Sequence, residues 1–400
     1  MIAPDVSDSK PTIYFFSPFC ILRNSTNRIF DMRMCDAFAT AGAKTTLVFP
    51  YLYLRENLKW ENIFESYGVK SRFGLRMQFT PFRLKTSWFV RTSILLVAFF
   101  ISTLRIIIEN ISSLKNTVII SRETIPLVPI LLMKKLFGRL IPVKVFIQMH
   151  EMKKGKLHKW VYHNSSGLMP NVPAVKQILH QEEHIPLERI LVMNAPMTDF
   201  TATDCSKIEA REKIKYNSEI PLVVYTGKVG RGIAELDYIL EAASMLPQYH
   251  FIFTGGKQAV VDYYREFCLQ KGMKNTTFTG FFNDLTFVRY YQLAADVLVS
   301  YYSSKDHLVD FNYPQKLQEY LSAGNAIVTP DFSATREVIG ENNAFIVEPD
   351  NSKALAAGIA AAIENKDLAR LKSAAAKEAS EKITYASKVQ EFLSFFSRTI

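Results

Sequence analysis

The stretch Asn312-Tyr-Pro-Gln-Lys-Leu-Gln-Glu-Tyr-Leu-Ser-Ala-Gly-Asn-Ala-Ile-Val-Thr329 has the pattern of a short helix that leads into a strand. Pro314 suits a first helical turn, and Gly324 can adopt the left-handed conformation that ends a helix. The β-branched run 326–329 then predicts a strand. Lys316 and Glu319 are three residues apart, so the helix places a cation and a carboxylate on one face.

The Lys316–Glu319 pair has the charges that a nucleotide sugar requires. A leaving diphosphate needs positive charge and free backbone N–H groups, and a ribose diol needs a fixed carboxylate acceptor. Both groups occur here within eight residues. A surface helix with an ordinary Lys/Glu pair has the same pattern, so this segment alone leaves both interpretations open.

Length and charge predict two globular domains of different character. The chain has 400 residues, 48% of them hydrophobic, which exceeds what one core usually holds. Residues 1–200 contain 26 Lys and Arg against 14 Asp and Glu, a net charge of +12, whereas residues 201–400 contain 22 against 24, a net charge of −2. The chain has no basic motif of a known nucleic-acid-binding module, so no nucleic-acid partner is expected.

Residues 88–108 combine large apolar side chains with nearby basic charge. Residues 51–160 contain 19 basic and 6 acidic residues, a balance that favours an anionic membrane surface. Only 13 residues separate Arg91 from Arg105, whereas crossing a bilayer takes about 20, so no transmembrane helix is predicted. A buried helix packed on a parallel sheet would have a similar composition, and this alternative stays open.

The cysteines and the N-terminus bear on the cellular compartment. The four cysteines form no C-x-x-C pair, so neither a disulfide framework nor a zinc site is indicated. Residues 1–10 lack a basic segment followed by an apolar core, so no secretory signal is expected. We therefore expect a cytoplasmic protein, with peripheral attachment to the inner face of the cell membrane as one form of that location.

Both halves alternate short apolar strands with amphipathic helices, the pattern of α/β domains with parallel sheets. In the second half the expected strands are 222–225, 251–254, 277–279, 297–300, 326–329 and 345–347, with helices such as 233–246 and 354–363 between them. In the first half they are 12–16, 45–49, 118–120, 143–149 and 190–193. The polar stretch 195–216 is the expected linker. This pattern predicts two Rossmann-like, doubly wound domains with the ligand in the cleft that they face.

Three predicted strands of the second half end in glycine turns. The turns are Tyr225-Thr-Gly-Lys-Val-Gly-Arg-Gly232, Thr254-Gly-Gly-Lys257 and Thr279-Gly-Phe-Phe282. Strands of a doubly wound sheet end at the edge where ligands bind, so these turns can bring backbone N–H groups and two cations against phosphates. They do not match G-x-G-x-x-G, which counts against NAD. Any one of them alone could be ordinary turn geometry.

Together and in this order, these segments resemble the C-terminal domain of a family 4 glycosyltransferase with the GT-B fold. The matching segments are Gly227-Lys228 with Arg231-Gly232, Phe253-Thr-Gly-Gly256, Phe278-Thr-Gly280, Tyr290-Tyr-x-x-Ala-Ala-Asp296, Pro314-x-Lys-Leu-x-Glu-Tyr-Leu-x-x-Gly324 and Arg336-Glu337-Val-Ile339. The resemblance covers about residues 10–395 and is strongest between 220 and 350.

The resemblance implies a retaining transfer of a sugar from a nucleoside diphosphate donor. Lys228 and Arg231 would neutralise the diphosphate with help from Lys316, and Glu319 would accept the ribose hydroxyls. The backbone of residues 280–282 would lie beside the base. The other residues expected at the donor site are Gly227, Gly255, Gly256, Gly280, Phe281, Phe282, Asp310 and Pro314.

One position departs from the family pattern. The family commonly has a glutamate eight residues before the position of Glu319, and this chain has Phe311 there. Asp310 could take over the contact to the donor sugar if the loop shifts by one residue, and Asp306 is a weaker candidate. Because of this departure, the sequence does not decide whether the site is catalytically active.

In the first half, the segment Val145-Phe-Ile-Gln-Met-His-Glu151 is similar to a family strand that ends in a histidine facing the donor sugar. His150 is therefore the third expected catalytic residue beside Lys228 and Arg231, with Glu151 as a second choice. A lone histidine after a strand also suits a structural role. Position 154 is lysine rather than the second histidine of H-E-x-x-H, and no D-x-D motif occurs, so no metal and no cofactor are expected.

The expected function is transfer of a sugar from a nucleotide sugar to a lipid-linked or cell-envelope glycan acceptor. Residues 1–200 would form the basic, acceptor-binding domain, residues 201–380 the donor domain, and residues 381–400 a helix that returns to the first domain. The basic run at Lys153, Lys154, Lys156 and Lys159 is either a solvated helix face or part of the acceptor site. The alternatives are a degenerate partner subunit that only binds the donor and a GT-B-fold epimerase of the nucleotide sugar.

Overall fold

The structure is a computed structural model that describes residues 10–21, 26–51, 63–70, 72–78, 80, 87–194, 196, 205–230, 234–282, 284–306, 309–311 and 313–398. It divides into two compact units. Unit 1 comprises Met1–Asn194 with Tyr385–Ile400, and unit 2 comprises Ala195–Thr384. The domain boundaries expected from the sequence, after residues 200 and 380, thus lie a few residues from the observed ones.

Unit 1 is built on a six-stranded parallel sheet in the order β3-β2-β1-β4-β5-β6. Its strands are β1 (Thr12–Phe16), β2 (Lys44–Pro50), β3 (Gly74–Gln78), β4 (Thr117–Ser121), β5 (Lys144–Met149) and β6 (Gly167–Pro170). Its helices are α1 (Thr26–Thr40), α2 (Ile63–Ser66), α3 (Trp88–Glu109), α4 (Val128–Phe137), α5 (Lys156–Asn164) and α6 (Pro173–Gln181). Every residue of β4 is buried, as expected for a central strand covered on both faces.

The strand predictions for unit 1 are partly wrong. The expected strand 190–193 is an extended segment with a single bridge, Leu168 to Ile190, rather than a strand. The strands β3 and β6 were not expected from the sequence. β3 lacks β-branched residues and β6 begins with glycine and ends with proline, so local propensity is weak and pairing within the sheet decides.

Unit 2 is built on a second six-stranded parallel sheet, in the order β12-β11-β10-β7-β8-β9. Its strands are β7 (Leu222–Thr226), β8 (His250–Thr254), β9 (Thr276–Gly280), β10 (Val297–Val299), β11 (Ala326–Pro330) and β12 (Phe345–Val347). Its helices are α7 (Lys207–Lys213), α8 (Ala234–Met245), α9 (Gln258–Gln270), α10 (Leu285–Ala294), α11 (Gln315–Ala323), α12 (Ser333–Arg336), α13 (Ser352–Glu364) and α14 (Lys366–Glu381). All six strands expected in this half are present.

The last helix, α15 (Tyr385–Arg398), belongs to unit 1. Its Phe392 ring lies edge-on to Phe38 of α1 at 5.3 Å and to Phe146 of β5 at 5.2 Å between ring centroids. Such T-shaped aromatic pairs are favourable beyond the area that they bury. The chain therefore returns to its first unit after completing the second.

The helix expected after Asn312 is α11, and it begins one residue later than the sequence predicts. Pro314 is its N-cap, with a ψ of 76° that is outside the helical region, so Pro314 does not lie in the first turn. Gly324 ends the helix in the left-handed conformation, with φ of 68°, as predicted. Lys316 and Glu319 both lie on α11, one turn apart.

Helix α3 is not the fully covered core helix that one reading of its composition suggests. One face is buried, at Leu95, Ala98, Phe99, Ser102, Thr103 and Ile106. Only 33% of its most apolar 18-residue window is buried, and by length and composition this 22-residue helix is long and apolar enough to cross a membrane. The sequence predicts no transmembrane helix here because of the two arginines. Between them one face of the helix is buried, and Val97, Phe100, Ile101 and Leu104 on the other face are exposed and apolar.

Candidate functional site

The three glycine turns of unit 2 lie side by side because their strands β7, β8 and β9 are neighbours in the sheet. The turns are joined by backbone hydrogen bonds. Gly227 N–H donates to the Thr254 carbonyl and Gly255 N–H donates to the Gly280 carbonyl, each at 2.9 Å. These two N–H groups are thus satisfied within the protein, and the assignment of Gly227 and Gly255 to the donor site stays a prediction.

Gly255 is required by close approach of the backbone. Its φ is +132°, and a Cβ built on it would lie 1.9 Å from the Gly227 carbonyl oxygen. No L-residue can be placed there without moving one of the two turns, because a clash with backbone atoms cannot be relieved by a side-chain rotation. Gly255 therefore has a structural function, because it allows the turns after β7 and β8 to approach each other.

Lys316 of α11 lies directly over the first turn. A Cβ on Gly227 would be 2.9 Å from Lys316 Cε and 3.2 Å from its Nζ, so the lysine stem occupies the space that the glycine leaves. The Lys316 ammonium also lies 4.0 Å from the centroid of the Tyr225 ring. Since an aromatic face attracts a cation, Tyr225 holds the ammonium in place beside the turn.

Lys228, the next residue of the turn, has an exposed side chain. Its carbonyl accepts a hydrogen bond from the Tyr225 hydroxyl at 3.1 Å, so Tyr225 contacts both basic residues. The structure thus brings together Lys228 and Lys316, two of the three cations expected at the diphosphate. The third, Arg231, lies outside the described residues.

Glu319 is half-buried and held by the side chain of Gln292 from α10. The Gln292 amide donates to Glu319 Oε2 at 2.9 Å and to Thr226 Oγ1 at 3.3 Å. Burial raises the pKa of the Glu319 carboxyl, and the Gln292 hydrogen bond, Arg289 and Lys316 oppose that rise. The carboxyl is therefore fixed in position next to the carboxyl end of β7.

Sequence patterns did not identify the residues that hold α11 against the sheet. The Tyr320 hydroxyl accepts from the Thr226 N–H at 2.9 Å. Arg289, only 1% exposed, donates to the Glu319 carbonyl at 3.2 Å and to Ser322 Oγ at 3.0 Å. Both contacts join residues distant in the chain. A local signal did exist, since Arg289 and Gln292 lie in or beside the segment that resembles the family.

The remaining predicted donor residues are placed as follows. Asp310 is half-buried and accepts a hydrogen bond from Ser333 Oγ at 2.7 Å. Phe281 is 72% exposed. The Phe282 ring stacks on Phe287 and Tyr291, at 5.6 and 5.7 Å between centroids. Gly256 and Gly280 follow β8 and end β9, and Pro314 caps α11.

In unit 1, His150 follows β5 at the carboxyl edge of the sheet. It borders a small cavity of ≈ 40 Å³, which is also lined by Arg122, Glu123, Lys153 and Tyr162. Desolvation by the surrounding protein, with the Arg122 charge, lowers the pKa of His150 and so favours the neutral form of the ring. Lys153 is paired with Glu123, so this member of the basic run is not simply solvated.

A buried acid, Asp31, lies beneath the same edge and was not recognised from the sequence. Ser17, which follows β1, donates to Asp31 Oδ2 at 2.6 Å, and Arg122, which follows β4, lies 3.6 Å from Oδ1. Asp31 is 1% exposed, and burial raises its pKa to about 6 despite the opposing effect of Arg122. The arrangement ties the turns after β1 and β4 together.

The Asp31 pKa predicts a pH-dependent stability. The Asp31 carboxyl binds its proton more tightly in the folded state than in the unfolded chain. Its stabilising contribution is therefore greatest below about pH 4 and is lost as the pH rises through about 6. The free energy of unfolding of wild type relative to Asp31→Asn should fall by about 2 kcal/mol between about pH 4 and 7. Urea titrations at several pH values measure it. Ser17→Ala removes a hydrogen bond to the carboxylate and should move the change to higher pH, whereas a pH-independent difference would contradict the assignment.

Within the described ranges, no three His, Cys, Asp or Glu side chains form a group that could hold a metal ion.

Comparison with known proteins identifies the class of fold. Residues 206–380 match the family model described as glycosyl transferases group 1. No protein of curated function matches the sequence. A crystal structure of a glycosyltransferase from Rickettsia africae is similar over 98% of each chain, with 15% identity and a TM-score of 0.71. The two-sheet architecture is therefore the GT-B fold, as the sequence predicts.

Two further solved structures share this fold at lower similarity in sequence. Anabaena Alr3699/HepE in complex with UDP is similar over 96% of this chain and 99% of its own, with 13% identity and a TM-score of 0.71. The lipopolysaccharide outer core galactosyltransferase WaaB is similar over 97% of this chain and 100% of its own, with 11% identity and a TM-score of 0.66. At such identities the likeness concerns the fold.

Proposed function

We propose that this chain is a retaining glycosyltransferase of family 4 that moves a sugar from a nucleoside diphosphate donor to an acceptor. The observation that carries the proposal is the cluster at the end of β7. There the Lys316 ammonium lies against Gly227 and Tyr225, beside the exposed Lys228. The same helix α11 presents the Glu319 carboxyl, held by Gln292. The end of β7 and helix α11 thus provide positive charge for a diphosphate and a hydrogen-bond acceptor for a ribose.

We assign to these cations the stabilisation of the leaving diphosphate. When the bond from the anomeric carbon to the diphosphate breaks, negative charge grows on the diphosphate oxygens. Cations placed in advance stabilise that charge without reorganisation. Lys228 and Lys316, with Arg231 as a third cation, take this function, and the proposal needs no metal. Adding EDTA should then leave the rate of transfer unchanged.

The exposed ring of Phe281 and the Gly280 backbone are assigned to the nucleotide base. An aromatic face that is 72% exposed offers a stacking surface for any base. The bound UDP of the HepE structure makes uridine the first base to test. Asp310 is assigned to the donor sugar in place of the glutamate that Phe311 replaces.

His150 is assigned the sugar-facing function that the family resemblance implies. Its neutral ring can accept or donate a hydrogen bond without placing a positive charge beside an electron-poor anomeric carbon. His150→Ala should lower kcat while leaving the affinity for UDP unchanged.

We place the enzyme in the cytoplasm, with a lipid-linked or envelope glycan as acceptor. The +12 charge of residues 1–200 and the name of the structurally similar WaaB support this assignment.

Two other functions use the same donor site. A degenerate subunit would bind the nucleotide without transfer or donor hydrolysis, and Phe311 favours it. An epimerase would convert the nucleotide sugar with no acceptor present. Incubation with labelled UDP-sugars separates all three, because only the transferase releases UDP in an acceptor-dependent manner. The anomeric configuration of its product, read by NMR, tests retention.

Thermal unfolding with UDP, GDP, ADP and CMP tests the donor site itself. One nucleotide, expected to be UDP, should raise Tm by several degrees, since a ligand at about 100 times its Kd stabilises by about 2.7 kcal/mol. Lys316→Ala should abolish most of that shift because the cation beside Gly227 is lost. Lys271→Ala, an exposed lysine after α9, is the matched control and should keep it. No shift with any nucleotide would reject the proposal.

A further inference from the structure

Helix α3 has an exposed apolar stripe opposite its buried face. Val97, Phe100, Ile101, Leu104 and Ile108 recur at intervals of three and four residues, so they lie on one side of the helix. Their exposed fractions are 59%, 43%, 60%, 37% and 72%. Soluble helices normally turn such residues inward and polar ones outward, so this helix has apolar residues on both sides.

The neighbouring helix α4 also has large apolar side chains that are exposed. In α4, Leu132, Leu136 and Phe137 are 46%, 77% and 52% exposed, and Leu140, in the 3₁₀ turn Gly138–Leu140 that follows the helix, is 77% exposed. Helices α3 and α4 pack against each other within unit 1. We call these residues of the two helices and of the turn after α4 the α3–α4 face. A set of exposed large apolar residues of this size marks an interaction surface.

The stretch of chain that contains the α3–α4 face has a strong excess of positive charge. Residues 88–160 contain 12 Lys and Arg against 3 Asp and Glu. Lys135 of α4 and Arg139 of the turn after it are both exposed, and each is next in sequence to an exposed leucine. A second copy docking through the same face would bring like charges together, whereas an anionic surface is attracted by them. Exposed apolar groups flanked by exposed cations match the chemistry of an anionic bilayer interface.

The contacts on the buried side of α3 indicate how the helix would be oriented at a bilayer. Its buried residues are held to the unit 1 sheet, where the Gln78 amide donates to Ser102 Oγ at 2.5 Å and to the Ala98 carbonyl at 3.3 Å. At its C-terminal end, Arg76 of β3 pairs with Glu109 at 2.7 Å. A helix crossing the bilayer would have to lose these polar contacts or take them into hydrocarbon, which is costly.

We propose that the α3–α4 face docks on an anionic lipid bilayer, with α3 lying in the plane of the interface. The apolar side chains enter the boundary between head groups and acyl chains, and Lys135 and Arg139 contact anionic head groups. This surface lies in unit 1 and needs no nucleotide. Its test therefore gives the same answer whether or not the proposed transfer reaction is correct.

Flotation of the full chain with vesicles tests the proposal. Phosphatidylcholine vesicles with and without phosphatidylglycerol separate the apolar and ionic contributions. The variant Ile101→Ser/Leu104→Ser/Ile108→Ser should bind anionic vesicles at least about tenfold more weakly. The matched control, Ile208→Ser/Leu269→Ser/Leu371→Ser, removes three exposed apolar side chains of unit 2, 72%, 75% and 68% exposed, and should bind like wild type. Lys135→Glu/Arg139→Glu should lose the preference for anionic lipid and the salt dependence.

Several outcomes would overturn the proposal. The proposal is rejected if wild type binds neither kind of vesicle. It is also rejected if the α3 triple variant, with an unchanged Tm, binds as well as wild type. Binding that survives an alkaline carbonate wash indicates a helix that spans the bilayer. If light scattering shows a dimer that the α3 triple variant dissociates, and vesicles are not bound, the face instead contacts a second copy of the chain.

Discussion

Glu319→Gln is expected to weaken UDP binding by about 100-fold without destabilising the fold. The carboxylate can accept hydrogen bonds from both ribose hydroxyls, whereas the amide replaces one acceptor oxygen by a donor. Hydrogen bonds to a charged group are worth about 1.5–3 kcal/mol, which is the size of the expected loss. Because burial raises the pKa of Glu319, a neutral side chain of the same shape should leave Tm equal or higher at neutral pH. Titration calorimetry with UDP and thermal unfolding measure the two effects separately.

Gln292→Ala provides the control for this prediction. It leaves the Glu319 carboxylate in place but removes the amide that donates to it at 2.9 Å. The carboxylate then loses its fixed orientation, so we expect an intermediate loss of UDP affinity. If Glu319→Gln binds UDP as tightly as wild type, the ribose is held elsewhere, and α11 contributes to the donor site through Lys316 alone.

Gly255→Ala is expected to have the largest effect on stability, about 4 kcal/mol or more, and to abolish nucleotide binding. The added Cβ would lie 1.9 Å from the Gly227 carbonyl oxygen, and φ of +132° is unfavourable for alanine whatever the space. Relief of the clash requires the turn after β7 to move. That turn carries Lys228 and supports Lys316, so the site is displaced even in molecules that fold. Thermal unfolding should show a fall in Tm of about 10 °C.

Gly272→Ala is the matched control for Gly255→Ala. Gly272 also has a positive φ, +69°, but no atom lies within 4 Å of the position that its Cβ would occupy. The substitution should cost about 1 kcal/mol from backbone strain alone and leave UDP binding unchanged. Equal losses for the two variants would show that strain, rather than the approach of the two turns, is the cause.

Local patterns predicted the regular elements best where strand signals were strong. All six strands of unit 2 were expected, because each is a short run of β-branched or aromatic residues between helical segments. In unit 1 the strands β3 and β6 were missed and the run 190–193 was wrongly assigned. The missed strands are the two edge strands of the sheet, where pairing to a single neighbour overrides weak propensity.

The amino-acid sequence by itself determined the α/β architecture, the lysine and glutamate on one face of α11, and the excess of positive charge in the first half, since these follow from periodicity and composition. Only the tertiary structure decided that Gln292 holds Glu319, that Gly255 N–H donates to the Gly280 carbonyl, that Asp31 is a buried acid, and that α3 exposes its apolar stripe. Each of these depends on contacts between residues far apart in the chain, and the local pattern around a residue does not specify which distant group will meet it or cover it.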